Sequence, residues 1–309
     1  MKQKIGLIDV DSHHYPNFAL MRTSAFHKAK GDSVEWAKIG LLGNHYDMVY
    51  KSKIFSFTTD IDDNGIQADI IQKGGTGYDI KGKLDSEIES SLLMDYEIYP
   101  QYNFSVQFFS RGCIRNCPFC VVRRKEGYIH PVDPVELNPK GEWIEVLDNN
   151  FFGNPEWRTS VDYLLKKGQK VNLHGVDVRL INEEQSFFLN KLKHKHQIKI
   201  AWDNPRQNIL PYIANLLKYI KPYKIMCYVL VGYNSTMEED LYRIYKLKEL
   251  KITPYVMVYR DYDNKDGIKK TQYQTDIARW TNNVMLNKKF DFKDYSPRKG
   301  FTCSEYFKK

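Results

Sequence analysis

The sequence predicts an α/β protein in which a small Rossmann-like, doubly wound domain precedes a partial six-strand (β/α) barrel. Three observations predict it. Apolar runs of strand length alternate with stretches of helical spacing from Asn103 to Arg260. A shorter strand, helix, strand, strand series runs into a glycine loop within the first 78 residues. At 309 residues the chain is long enough to bury two cores.

In order, KIGLIDV (4–10) is an apolar run of strand length. PNFALMRTSAFHKAKG (16–31) opens on Pro, spaces its apolar residues as a helix does and closes on Gly31. DSVEWA (32–37), YDMVYKSKIFSF (46–57) and ADIIQKGGTGY (68–78) supply three more strands, the last running into glycines. The charged stretch 79–102, with Pro100 near its end, is expected to be a linker. The barrel strands are FSVQFFS (104–110), WIEVLD (143–148), KVNLHG (170–175), IKIAWD (198–203), YKIMCYVLVG (223–232) and TPYVMVYR (253–260). Helices are expected over 155–168, 182–194, 207–220 and 236–251, the last with Ser235 or Thr236 ahead of Glu238 and Glu239 as a start signal. Two more units would complete an eight-strand barrel, so this one is expected to be open. A polar stretch from 261, one helix over 275–286 and an aromatic, basic tail form a C-terminal extension over 261–309.

Composition narrows the function classes. Five cysteines, three of them clustered, do not make a secreted disulfide framework. The first strand-like run is cut at Asp9, which is too short for a signal peptide, and no stretch approaches the roughly 18 apolar residues that cross a bilayer. A soluble, cytoplasmic protein without membrane partners is expected. The net charge of +8 and the 22 tyrosines suit a nucleotide or nucleic-acid partner, although the lysines are spread over helix faces as on ordinary solvated surfaces.

The chemistry lies in RGCIRNCPFC (111–120), directly after the first barrel strand, where parallel barrels place their ligands. A structural zinc clip would need a fourth ligand, and the nearest nitrogen downstream, His130, follows Cys120 at none of the usual spacings. Three thiolates would instead leave one iron of a 4Fe-4S cluster open.

Cys113-Ile-Arg-Asn-Cys117-Pro-Phe-Cys120 resembles the Cys-x-x-x-Cys-x-aromatic-Cys signature of the radical S-adenosylmethionine (radical SAM) enzymes. The resemblance implies a 4Fe-4S cluster on these three cysteines, S-adenosylmethionine on its open iron, and a flavodoxin or ferredoxin as reductant. Cleavage would yield a 5′-deoxyadenosyl radical that takes hydrogen from a substrate, with Phe119 near the adenine. Asp148, Asn149 and Asn150 end the second barrel strand where the family contacts the methionyl amine. Arg179, after His174 and Asp177, is the expected partner of the methionyl carboxylate. Asp203 is a polar contact at the barrel top, and backbone at Val231 and Gly232 is expected against the adenine. Tyr259 and Arg260 are candidates for the substrate side; Cys227 reads as a buried hydrophobe and Cys303 as a lone tail cysteine.

The first 78 residues resemble a shortened cobalamin-binding domain. Asp11-Ser-His13 stands where base-off cobalamin proteins carry Asp-x-His-x-x-Gly, although Pro16 replaces the glycine, and Gly74 and Gly75 match a late glycine loop. The expected function is therefore a radical SAM enzyme. Its alternatives are a cobalamin-dependent radical SAM methyltransferase and a zinc-stabilised nucleic-acid-binding protein without catalysis.

Overall fold

In the computed structural model the described residues are 2–40, 43–263 and 270–308; residues 264–269 of the polar stretch after the last barrel strand lie outside them. The chain divides into two compact units, Met1–Asp148 and Asn149–Lys309. Among the described residues no helix is long and apolar enough to cross a membrane.

The first unit opens with β1 (Lys4–Asp9), α1 (Phe18–Ala29), β2 (Ser33–Trp36), β3 (Tyr46–Ser52) and β4 (Ala68–Gly74). These strands form one parallel sheet in the order β2-β1-β3-β4. Side chains alternate along β1, so Ile5 and Leu7 pack with Leu20, Tyr50 and Ile88 on one face while Ile8 and Val10 meet Tyr46, Val49 and Ile66 on the other. The strand order reverses between β1 and β3, and in doubly wound sheets ligands bind at the carboxyl ends of such a pair. Asn17 starts α1 there, its side-chain oxygen accepting from Leu20 N–H and its amide donating to Ser52 Oγ at 2.9 Å.

The stretch 79–102, expected as a linker, is packed instead. It holds α2 (Ser86–Ser90), and its Ile88, Met94 and Tyr99 are buried in the two cores. Tyr99 Oη donates to Asp9 on β1 at 2.6 Å. Charged neighbours hid these apolar anchors, which are too far apart to show a period. The unit continues through β5 (Phe104–Gln107), β6 (Ser110–Arg111), α3 (Val122–Glu126), β7 (His130–Pro131) and β8 (Trp143–Val146); β5 and β8 pair in parallel, β6 and β7 antiparallel.

The second unit alternates as expected: α4 (Trp157–Lys167), β9 (Lys170–Leu173), α5 (Glu183–Lys191), β10 (Ile198–Ala201), α6 (Leu210–Leu217), β11 (Ile225–Val231), α7 (Met237–Glu249), β12 (Thr253–Val258), α8 (Gln272–Asn282) and α9 (Val284–Lys289). Thr236 and Glu239 form a capping box that begins α7 at the position the sequence marked. Strands β10, β11 and β12 form a parallel sheet.

The strands lie in separate small sheets, none of more than four strands among the described residues, and no single six-stranded sheet is formed. Two features limit pairing. Strands β5, β8, β9 and β10 have only four residues each. At β12 the Asn282 amide, projecting from α8, takes the place of a neighbouring strand: its Oδ1 accepts from Val256 N–H at 2.7 Å and its Nδ2 donates to Val256 C=O at 3.0 Å. The tail is fixed to α8 in turn, because buried Asp276 accepts from Arg298 and Tyr306, each at 2.7 Å.

Candidate functional site

The cysteine loop rises from the end of β5 and is closed at its base. Ser110 and Arg111 pair with Pro131 and His130. Glu126, at the end of α3, accepts from Arg111 Nη2 at 2.6 Å and from Gly112 N–H at 2.8 Å. Gly112 is required here: its φ is +78°, and a β-carbon would stand 2.5 Å from Tyr128 O. Between these clamps Cys113, Cys117 and Cys120 are half-buried, and no cysteine is in a disulfide. Cys113 Sγ accepts from Arg115 N–H at 3.4 Å, Arg123 Nη1 holds the Cys113 carbonyl at 3.0 Å, and Cys120 N–H donates to Cys117 O at 3.0 Å. Phe119 is half-buried on the same loop.

Asp148 belongs to this loop's foundation. It is 1% exposed, and its carboxylate accepts from Phe109 N–H at 2.8 Å and from Ser110 Oγ at 2.5 Å. Burial pushes its carboxyl up to about 6, against the pull of those hydrogen bonds and of Arg111. The residue expected to touch a ligand thus holds the segment that carries the thiols.

The remaining residues expected at S-adenosylmethionine lie in the second unit. Asn150 is buried and its Oδ1 has no hydrogen-bond partner, whereas Asn149 is half-exposed. Arg179 is forked onto Asp177, with Nε to Oδ1 at 2.6 Å and Nη2 to Oδ2 at 2.8 Å, and Nη1 donates to Gln207 at 2.7 Å. A ligand carboxylate would have to compete with Asp177. Asp203 is pushed up to about 6 by burial, with Arg243 and Arg179 opposing. Val231 C=O accepts from Tyr259 N–H at 2.9 Å, and Gly232, with φ +87°, lies under the Gln274 amide. Tyr259 packs edge-on against Tyr233.

Sequence reasoning missed Arg243. It is fully buried and donates to Trp202 O, Asp203 O, Leu230 O, Glu239 O and Asp240 Oδ1 at 2.6 to 3.3 Å, fixing the carboxyl ends of β10 and β11 to α7. Within YRIYKLKE nothing separates it from a surface cation; only its helical phase relative to Leu241, Ile244 and Leu247 could have flagged it.

After the carboxyl end of β1, Asp11 accepts from Ile54 N–H and from Thr58 Oγ1 at 2.6 Å. The His13 ring packs on Trp36 at 4.1 Å between centroids and on Tyr99 at 5.6 Å, and its carbonyl accepts from Tyr102 Oη at 2.7 Å. Ser12 and His13 both have positive φ, 67° and 44°. Asp11 therefore orients the loop after β3 and not the His13 imidazole, an arrangement that does not fit a cobalt-ligating pair. Gly74 and Gly75 end β4 beside Lys53.

Among the described residues no three His, Cys, Asp or Glu side chains are gathered closely enough to hold a metal ion, the three thiols included. The three thiols are soft donors carried on one half-buried loop. No protein-family model matches the chain, and no curated protein matches it significantly.

Proposed function

We propose that the chain is a radical SAM enzyme whose strands β5 and β8 to β12 belong to an open six-strand (β/α) barrel. The observation that carries this reading is the spacing of Cys113, Cys117 and Cys120 on a loop leaving the first of those strands, closed at its base by Glu126 and Asp148. The three thiols would hold a 4Fe-4S cluster. When bound, that cluster supplies one electron, received from a flavodoxin or ferredoxin, for cleavage of S-adenosylmethionine into methionine and a 5′-deoxyadenosyl radical.

The chain's own residues do the positioning. Glu126 and Asp148 fix the two ends of the segment leading into Cys113, so that the loop can tighten around a cluster while its base stays in place. Metal binding and loop ordering are then one process. Asn150, with a buried acceptor that the protein leaves unsatisfied, is the residue best suited to receive an ammonium or amide donor of a ligand. The half-buried Phe119 offers an apolar surface on the loop that carries the thiols.

Metal analysis tests the assignment of the loop. Protein reconstituted with iron and sulfide under anaerobic conditions should hold about four of each per chain. Replacing Cys113, Cys117 or Cys120 singly with Ala should abolish the cluster, whereas Cys227→Ala and Cys303→Ala should retain it, since both of those thiols are buried away from solvent. Stoichiometric zinc in place of iron would overturn the proposal in favour of a structural clip.

A further inference from the structure

Among the described residues of the first unit, two buried or half-buried lysines have no paired carboxylate. Lys53, directly after β3, is 8% exposed, yet among the described residues its ammonium pairs with no carboxylate; it stands over the Tyr78 ring, 5.7 Å from the centroid. Lys125, on α3, is half-buried, and its Nζ donates to the Thr76 hydroxyl. Burial and the nearby Arg111 lower its pKa, opposed by Glu126. The surrounding acids have other cations or donors. Asp60 and Asp63 pair with Lys51, Asp63 also pairs with Lys73, Asp11 holds Ile54 and Thr58, and Glu126 holds Arg111 and Gly112. A buried lysine is rarely left without a partner, because desolvating its charge is costly.

Between the two lysines runs the glycine loop 74–77, at the carboxyl edge of the sheet where doubly wound folds bind ligands. Gly75, at φ +96°, and Gly77 let the loop lie against the Lys53 backbone, since a β-carbon on either would fall within 3 Å of Lys53 atoms. Gly74 has no such reason, for a β-carbon there would meet nothing within 4 Å. The space beside it is open. Next to this loop the backbone of Phe55 approaches Gly77, and the Phe55 and Phe57 rings stand stacked, 5.3 Å between centroids, each about half-exposed. Asp11 pins the ends of the segment that presents them.

We infer that Lys53, Lys125 and the open glycine loop at Gly74 form a phosphate-binding site, and that the exposed Phe55 and Phe57 rings stack on a base attached to that phosphate. The ligand class is a nucleotide, free or as part of a single-stranded nucleic acid. A phosphate supplies the missing counter-charge, accepts from both ammonium groups and fits where no side chain intrudes. Stacking on an exposed aromatic pair adds affinity without demanding a particular base. Lys125 follows Cys120 by five positions, so the phosphate would be held by the helix into which the cysteine loop runs. Its role as a substrate site rests on the radical SAM reading; the binding itself does not.

Calorimetric titration with inorganic phosphate, cytidine 5′-monophosphate and cytidine tests this without cluster or reductant, so its failure is separate from a failure to cleave S-adenosylmethionine. Phosphate and the nucleotide should bind and the nucleoside should not. Lys53→Met and Lys125→Met should each weaken phosphate binding about tenfold, the loss expected for one charged hydrogen bond. Their melting temperatures should be unchanged or higher, because an uncompensated charge is removed. Phe55→Ala should weaken the nucleotide and leave inorganic phosphate unaffected. Equal binding of nucleoside and nucleotide would overturn the inference, as would methionine variants that melt lower while binding phosphate normally.

Discussion

Two sets of strand ends are held by opposite chemistries. At the end of β5, carboxylates collect donors: Asp148 takes Phe109 N–H and Ser110 Oγ, and Glu126 takes Gly112 N–H and Arg111. At the ends of β10 and β11 a guanidinium collects acceptors, with Arg243 bonded to the Trp202 carbonyl just after β10, to the Leu230 carbonyl near the end of β11 and to Asp240 on α7. The carboxylates grip only the base of a long loop and leave the thiols beyond it half-buried. The guanidinium ties two strands and a helix into one rigid corner. The thiols thus lie where the fold is clamped at one end, while Arg179, Val231 and Gly232 are engaged within the protein.

The largest effect expected from this contrast is on stability in the second unit. Arg243→Met leaves Asp240 and four backbone carbonyls without their buried donor and should cost about 3–5 kcal/mol in urea unfolding. Arg243→Lys should recover little of it, since three donors on a flexible stem cannot reproduce the fork. A cost below about 1 kcal/mol would erase the distinction between the two strand ends.

Asp148 gives a smaller effect with a defined sign. Its folded carboxyl titrates near 6, above the ordinary value of 3.8, so the native state binds the proton more tightly than the unfolded chain does. Stability therefore falls as pH rises from about 4 to about 6, by on the order of 3 kcal/mol, and levels off above. Asp203, also raised to about 6, acts in the same direction. Asp148→Asn should remove one share of this slope and leave the other; an unchanged slope would mean that Asp148 is not the buried anchor described here.

The smallest global effect belongs to Glu126. Glu126→Gln keeps an acceptor but loses the charge facing Arg111, and should shift overall stability by no more than about 1 kcal/mol. Hydrogen exchange at Gly112 and Cys113 should nonetheless quicken, and the reconstituted cluster should be lost faster. Global destabilisation with unchanged exchange in the loop would make Glu126 part of the core.

Much of this was legible in the sequence because it depends on local pattern. The apolar runs of β1 to β4 and β8 to β12, the Thr236 cap and the cysteine spacing all lie within one element or turn. What escaped depends on distant partners. Asp148 reads as a ligand at a strand end until Phe109 and Ser110, nearly forty positions earlier, are seen to bind it. Lys53 and Lys125 read as surface lysines, because burial without a counter-charge has no sequence signature. Isolated Ile88, Met94 and Tyr99 gave a packed segment the look of a linker.

The proposed reductive cleavage of S-adenosylmethionine at the thiols of 113–120 has a direct readout. Anaerobically reconstituted protein, reduced with dithionite and given S-adenosylmethionine, should form 5′-deoxyadenosine and methionine, and Cys117→Ala should form none. An intact cluster that yields no 5′-deoxyadenosine with dithionite or with reduced flavodoxin would contradict the account.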